Sequence, residues 1–248
     1  MSEFGEVFEE RLEEIETYLD LLTTLEHAVQ DGPPRLGGDK GAAVTVKQQR
    51  ILYSSVYLQL YNLVESTATQ CVEAVSEAIK NHELQPKGLT LELRREWVKF
   101  VARTHIDLNY EKRLDAALVL CEHFVHLRPI SEFSFHSGGG GNWDDKVIEK
   151  TAKRLGIAME VPPEASKGVK DQRWDDKGAM AHIRTLRNHL AHGNISFAEC
   201  GQNVTVSELK DLKDRTATYL REVLGRFGAF IEAQEFVLPG CRSAGGNP

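Results

Sequence analysis

Apolar residues recur along this chain at helical spacing. From about Glu3 to Val29 the positions Phe8, Leu12, Ile15, Leu19 and Leu22 fall at intervals of 4, 3, 4 and 3, with acidic residues on the opposite face. That is the stripe of an amphipathic helix. A second helix is predicted over 45–81, with Tyr53, Tyr57, Leu60, Val64, Ala68, Cys71 and Val75 on its buried face. Helical pattern continues from Leu91 to Val125, interrupted near 105–109. A shorter helix, DDKVIEKTAKRL, ends at Gly156, with Asn142 as its expected N-cap. A further helix is expected from about Trp174 to His192, and a last one from Ser207 to Phe236. The inner stripe of the last is Leu209, Leu212, Thr216, Tyr219, Val223, Phe227 and Phe230.

Breakers punctuate these segments. DGPPRLGGDKG (31–41) reads as a linker and SFHSGGGGN (134–142) as a flexible loop. The stretch holding Pro162, Pro163 and Gly168 reads as a second loop. No strand alternation or internal repeat emerges. The predicted class is all-α, a helical bundle. It is organised as an acidic amphipathic helix (1–31), one helical domain (45–236) and a disordered tail (237–248).

Composition refines this picture. The chain has 248 residues and a formal net charge of -7. Residues 1–31 alone hold ten carboxylates against one arginine, so the rest is faintly basic. An acidic arm on a nearly neutral body leaves room for a nucleic-acid partner. No stretch approaches the roughly 18 apolar residues of a membrane span. The N-terminus lacks the basic start of a signal peptide. Cys71, Cys121, Cys200 and Cys241 form no C-x-x-C pair. The expectation is a cytoplasmic protein without a disulfide framework or membrane attachment.

The chemistry concentrates in AHIRTLRNHLAHG (181–193), which carries His182, Arg184, Arg187, Asn188, His189 and His192. Cations before a terminal Gly are ordinary helix-capping chemistry. The pattern R-x4-H occurs twice, as Arg184 with His189 and as Arg187 with His192. The same residues suit RNA cleavage. Histidine moves protons near neutral pH, and the planar, permanently charged arginine fork can stabilise a phosphorane. The nucleophile is the substrate's own 2′-OH, so no metal or cofactor is required. Residues five apart on a helix point about 140° apart. One pair can therefore serve one phosphate if the helix ends at His192, as Gly193 suggests, or if two copies share a cleft.

RNHLAHG, followed by NISF and a long terminal helix, resembles the signature of the HEPN superfamily. The longer pattern, SGGGGNWDDKVIEKTAKRLGI, then RNHLAHGNISF, then VSELKDLKDRTATYLREVLGRF, is similar to the bacterial MAE-type HEPN family. The resemblance implies a helical bundle and a metal-independent ribonuclease, a toxin or effector in toxin–antitoxin or phage-defence systems. It also implies RNA as substrate, a homodimer, and an antitoxin or partner subunit. The polar residue directly after the arginine of the motif selects Arg187 with Asn188 over Arg184. Arg187 would bind the scissile phosphate, His192 would transfer protons and Asn188 would orient the phosphate. Arg184 and His189 would be supporting residues. The superfamily includes catalytically inactive members, so a non-catalytic interaction module is the alternative.

Glu65 is the one charged residue between Ile51 and Val72 on a strongly apolar helix. If partly buried, it needs a cationic partner, Arg187 or Arg184; otherwise it lies on a solvent-facing strip. Among the other features, a metal site at His182, His189 and His192 lacks a completing ligand set. GGGG (138–141) lacks the Lys-Ser/Thr of a P-loop. Lys146, Lys150, Lys153 and Arg154 form a basic strip that fits a solvated face or a guide for RNA. The acidic first helix must bury its stripe, either on its own bundle or against a partner.

Overall fold

A computed structural model describes residues 3–29, 32–36, 40–104, 106–135 and 142–242. Its α-helices are α1 (Glu3–Ala28), α2 (Val46–Asn81), α3 (Leu91–Ala102), α4 (Tyr110–Val125), α5 (Asp145–Leu155), α6 (Pro163–Lys170), α7 (Ala179–Ala191), α8 (Phe197–Cys200) and α9 (Val206–Glu232). The small strands β1 (Arg35–Leu36) and β2 (Ala42–Ala43) pair antiparallel within the stretch read as a linker. The fold is an all-α bundle with this one minor ribbon among the described residues.

The periodicity fixes the core. Every stripe position named above on α1, α2 and α9 is buried. Leu60, Val64, Cys71 and Val75 of α2 are inaccessible, as are Thr216, Tyr219 and Val223 of α9. These residues recur every three or four positions, so one side of each helix is apolar throughout and has to leave water. Cys71 and Cys200 are buried and Cys121 and Cys241 exposed, all as free thiols.

The chain divides into two compact units. One comprises 1–67, 142–145 and 161–222; the other comprises 68–141, 146–160 and 223–248. In the first, α1 lies on α2 and α9, with Glu9 bidentate to Arg221 at 3.0 and 2.9 Å and Glu16 bound by Lys213 at 2.8 Å. The acidic helix thus packs on its own unit. In the second, Glu96 of α3 is buried. Burial alone would raise its pKa, but Arg154 of α5 and Lys99 hold it below the ordinary carboxylate value. Arg154 is therefore a structural ion-pair partner, whereas Lys146, Lys150 and Lys153 are exposed.

Four expectations change. The helix expected after Asn142 starts at Asp145, so Asn142 is no N-cap. Trp143 and Asp144 are drawn into the interior, which uses up that stretch of chain. The motif helix starts at Ala179, not near Trp174. Trp174 and Lys177 form a bridge around Asp175 and Asp176, both at positive φ (47° and 59°), the backbone of a tight hairpin turn. The second loop contains α6, with Pro163 in its first turn and Glu164 beside it. The last helix ends at Glu232, four residues early. In the tail, Pro239–Cys241 forms a 3-10 turn, while residues 243–248 lie outside the described residues, as do 136–141 of the glycine loop.

Candidate functional site

α7 is set by a close backbone approach. Gly178 precedes it, and a Cβ there would stand 2.5 Å from the Val169 carbonyl oxygen of α6, so only glycine fits. Ala179, Met180, His182, Ile183 and Leu190 anchor its inner face. At its far end His192 is the C-cap and Gly193 takes φ +69°. The Gly193 N–H donates to the Leu190 carbonyl (3.2 Å) and the Asn194 N–H to the His189 carbonyl (2.8 Å). Those two bonds make a Schellman stop. The helix therefore ends at His192, as the terminal glycine implied.

Arg187 is held on three sides. Its guanidinium carbon lies 4.0 Å from the centre of the Tyr61 ring, a cation–π contact. Nη2 approaches Glu65 Oε2 at 3.4 Å, and Nη1 donates to Asn188 Oδ1 at 2.8 Å. Asn188 Nδ2 in turn donates to Asn142 Oδ1 at 2.9 Å. Tyr61 is fixed because its hydroxyl accepts the Trp143 N–H at 3.1 Å. Glu65 is about one-third exposed and Arg187 about one-quarter. Glu65 is thus both partly exposed and paired, and its partner is Arg187.

The other arginine does different work. Arg184 Nη1 pairs with Asp144, whose carboxylate is 3% exposed. That pair ties α7 to the segment before α5 and commits Arg184 to a buried carboxylate, whereas the carboxylate facing Arg187 is about one-third exposed. His189 and His192 are exposed, and their rings make no hydrogen bond or ion pair among the described residues. His182 is set apart. It stacks on Trp174 (ring centres 5.9 Å apart) and meets Tyr57 edge-on at 5.7 Å. Burial lowers its pKa to about 4, which makes it a neutral core residue. Among the described residues, no group of three His, Cys, Asp or Glu is arranged to hold a metal.

The structure therefore gathers Glu65, Arg187 and Asn188, and adds Tyr61 and Asn142, which sequence reasoning missed. Tyr61 had a signal: it lies one turn before Glu65, on the same helix face. Asn142 had none, since only the tertiary fold brings it to Asn188.

The site is thus an Arg–Asn–x3–His turn at the C-terminal end of α7 in an all-α bundle. The chain belongs to the HEPN_MAE_28990-like HEPN family, which matches residues 2–236 and so includes α1. No curated protein and no solved structure matches the chain. Membership makes it a nuclease-like or RNA-related module, of a kind that is commonly a ribonuclease. No helix among the described residues is long and apolar enough to cross a membrane.

Proposed function

We propose that this protein is a metal-independent endoribonuclease acting through Arg187 and His192, with Asn188 in support. The observation that carries the reading is the state of Arg187. Its guanidinium is held over the Tyr61 ring between Glu65 and Asn188, five residues before a helix stop that leaves the His192 ring exposed. A phosphate entering there would replace Glu65 as the anionic partner of the guanidinium. A base takes the 2′-OH proton, the O2′–P bond forms, the P–O5′ bond breaks, and O5′ receives a proton. The products are a 2′,3′-cyclic phosphate and a 5′-hydroxyl. His192 takes part in the proton transfer, Arg187 neutralises the phosphorane, and Asn188 orients it.

In the same reading the protein works in the cytoplasm as a homodimer or beside a partner subunit. It acts as a toxin or effector of a toxin–antitoxin or phage-defence system. Purified wild type, Arg187→Ala and His192→Ala are incubated with RNA in EDTA. The expected result is cleavage by wild type with cyclic-phosphate ends and a loss of at least ~100-fold in each variant. Equal rates in all three would remove the catalytic assignment. One observation favours a non-catalytic interaction module instead: the Schellman stop accounts for Gly193 as helix capping alone. An inert wild type that still binds its partner subunit would support that reading.

A further inference from the structure

α4 is an amphipathic helix with its apolar face turned outward. None of its residues is buried. Its inner side packs on α3, with His123 and Phe124 edge-on to Trp97, beside a cleft of about 400 Å³ lined by Trp97, Phe100, Ala116 and Val119. Its outer side carries Tyr110 (76% exposed), Leu114, Leu118, Cys121 and Val125 (72% exposed), with Ile106 and Leu127 half-exposed beyond the two ends. These side chains present on the order of 600 Å² of apolar surface, at the top of the range usual for the largest patch on a monomer and approaching the ~800 Å² each partner gives a standard interface.

We propose that this face docks a second copy of the same chain, antiparallel, about a two-fold axis between Ala117 and Leu118. Two observations choose that occupant. First, the apolar spacing reads the same in both directions. Tyr110, Leu114, Ala117, Leu118, Cys121 and Val125 are separated by 4, 3, 1, 3 and 4 residues. An antiparallel copy therefore sets Leu114 level with the partner's Cys121 and Tyr110 level with the partner's Val125, with the small Ala117 at the axis. This is the self-complementarity that an isologous contact requires. Second, the ends of the stripe are already neutral. Arg113 pairs with Asp107 at 2.9 Å and Arg128 with Glu122 at 3.0 Å. An RNA, a basic segment or an acidic segment would find no matching excess of charge there. An apolar face with the same balanced ends fits.

The surface rests on its own observations and not on the nuclease reading, so the two can fail separately. Sedimentation of the full chain across a concentration series is the test. Wild type and His192→Ala are expected to dimerise, and Leu118→Glu to raise the dissociation constant by roughly 100-fold or more. No α4 residue is buried, so Leu118→Glu should keep the wild-type circular dichroism. A second measurement fixes the register. Leu114→Cys in a Cys241→Ser background should oxidise to a covalent dimer, and adding Cys121→Ser should abolish it. A wild type that stays monomeric at tens of micromolar overturns the proposal and gives the face to a different protein. Dimers that survive Leu118→Glu, or cross-links that survive Cys121→Ser, overturn it as well.

Discussion

Two arginines three positions apart on α7 are similarly exposed but face carboxylates of very different burial, and that difference can be measured. Arg184 faces a carboxylate that is 3% exposed, while Arg187 faces one that is about one-third exposed. Removing the guanidinium from a buried pair is costly, whereas a half-exposed pair contributes little. Arg184→Ala should therefore lower stability by about 3 kcal/mol in a denaturant titration. Arg187→Ala should cost under ~1 kcal/mol and yet abolish RNA cleavage. Equal stability losses would contradict the division of labour between them. His182 offers a second residue-scale test. Its native pKa of about 4 lies below the ordinary 6.5 because its ring is buried between Trp174 and Tyr57. The unfolded chain takes up this proton first as pH falls. The contribution is thus fully present above pH 6.5 and is lost between about 6.5 and 4. Thermal melts should show wild type losing roughly 2 kcal/mol more than His182→Phe across that window.

At the scale of elements, glycine positions separate two kinds of constraint. Gly201 follows α8, and a Cβ there would lie 2.0 Å from the backbone oxygen of Arg50 in α2. Gly193 has open space around it but φ +69°. Backbone cannot yield as a side chain can, so Gly201→Ala should cost at least ~3 kcal/mol, against about 1 kcal/mol for Gly193→Ala. Melting temperatures of the two variants check the order. The same elements show what the sequence made legible. α1, α2 and α9 were readable because each repeats its apolar stripe over several turns. α8 has four residues, too few for a period, although its capping box of Ser196 and Glu199 was present in the sequence as S-x-x-E. α6 was hidden by Pro162 and Pro163, which read as breakers although proline at the first helical turn is a start signal. The Glu65–Arg187 pair was legible because a lone charge on an apolar helix demands a counter-charge. The Tyr61 shelf and the Asn142 contact depend on tertiary placement, which no local pattern encodes.

At the scale of the whole molecule, the acidic first helix poses a question that deletion cannot answer. Phe8, Leu12, Ile15, Leu19 and Leu22 are each at most 3% exposed. At about 2 kcal/mol per buried apolar side chain their burial is comparable to the whole stability of a domain. A chain lacking residues 1–28 should therefore aggregate or melt far below wild type, whatever α1 does to activity. The surface ion pairs to Lys210, Lys213 and Arg221 contribute little beside that burial. The acidic face of α1 repels a polyanion that comes within reach of its field. Glu10, Glu13 and Glu14 are exposed and in no ion pair among the described residues, so they can be reversed to lysine without touching the core. If α1 tunes access of RNA through its field, the triple reversal should raise the cleavage rate several-fold at low salt. The gain should disappear at high salt, where the Debye length falls to ~3 Å. An unchanged rate at low salt, with the fold intact, would assign α1 to packing alone.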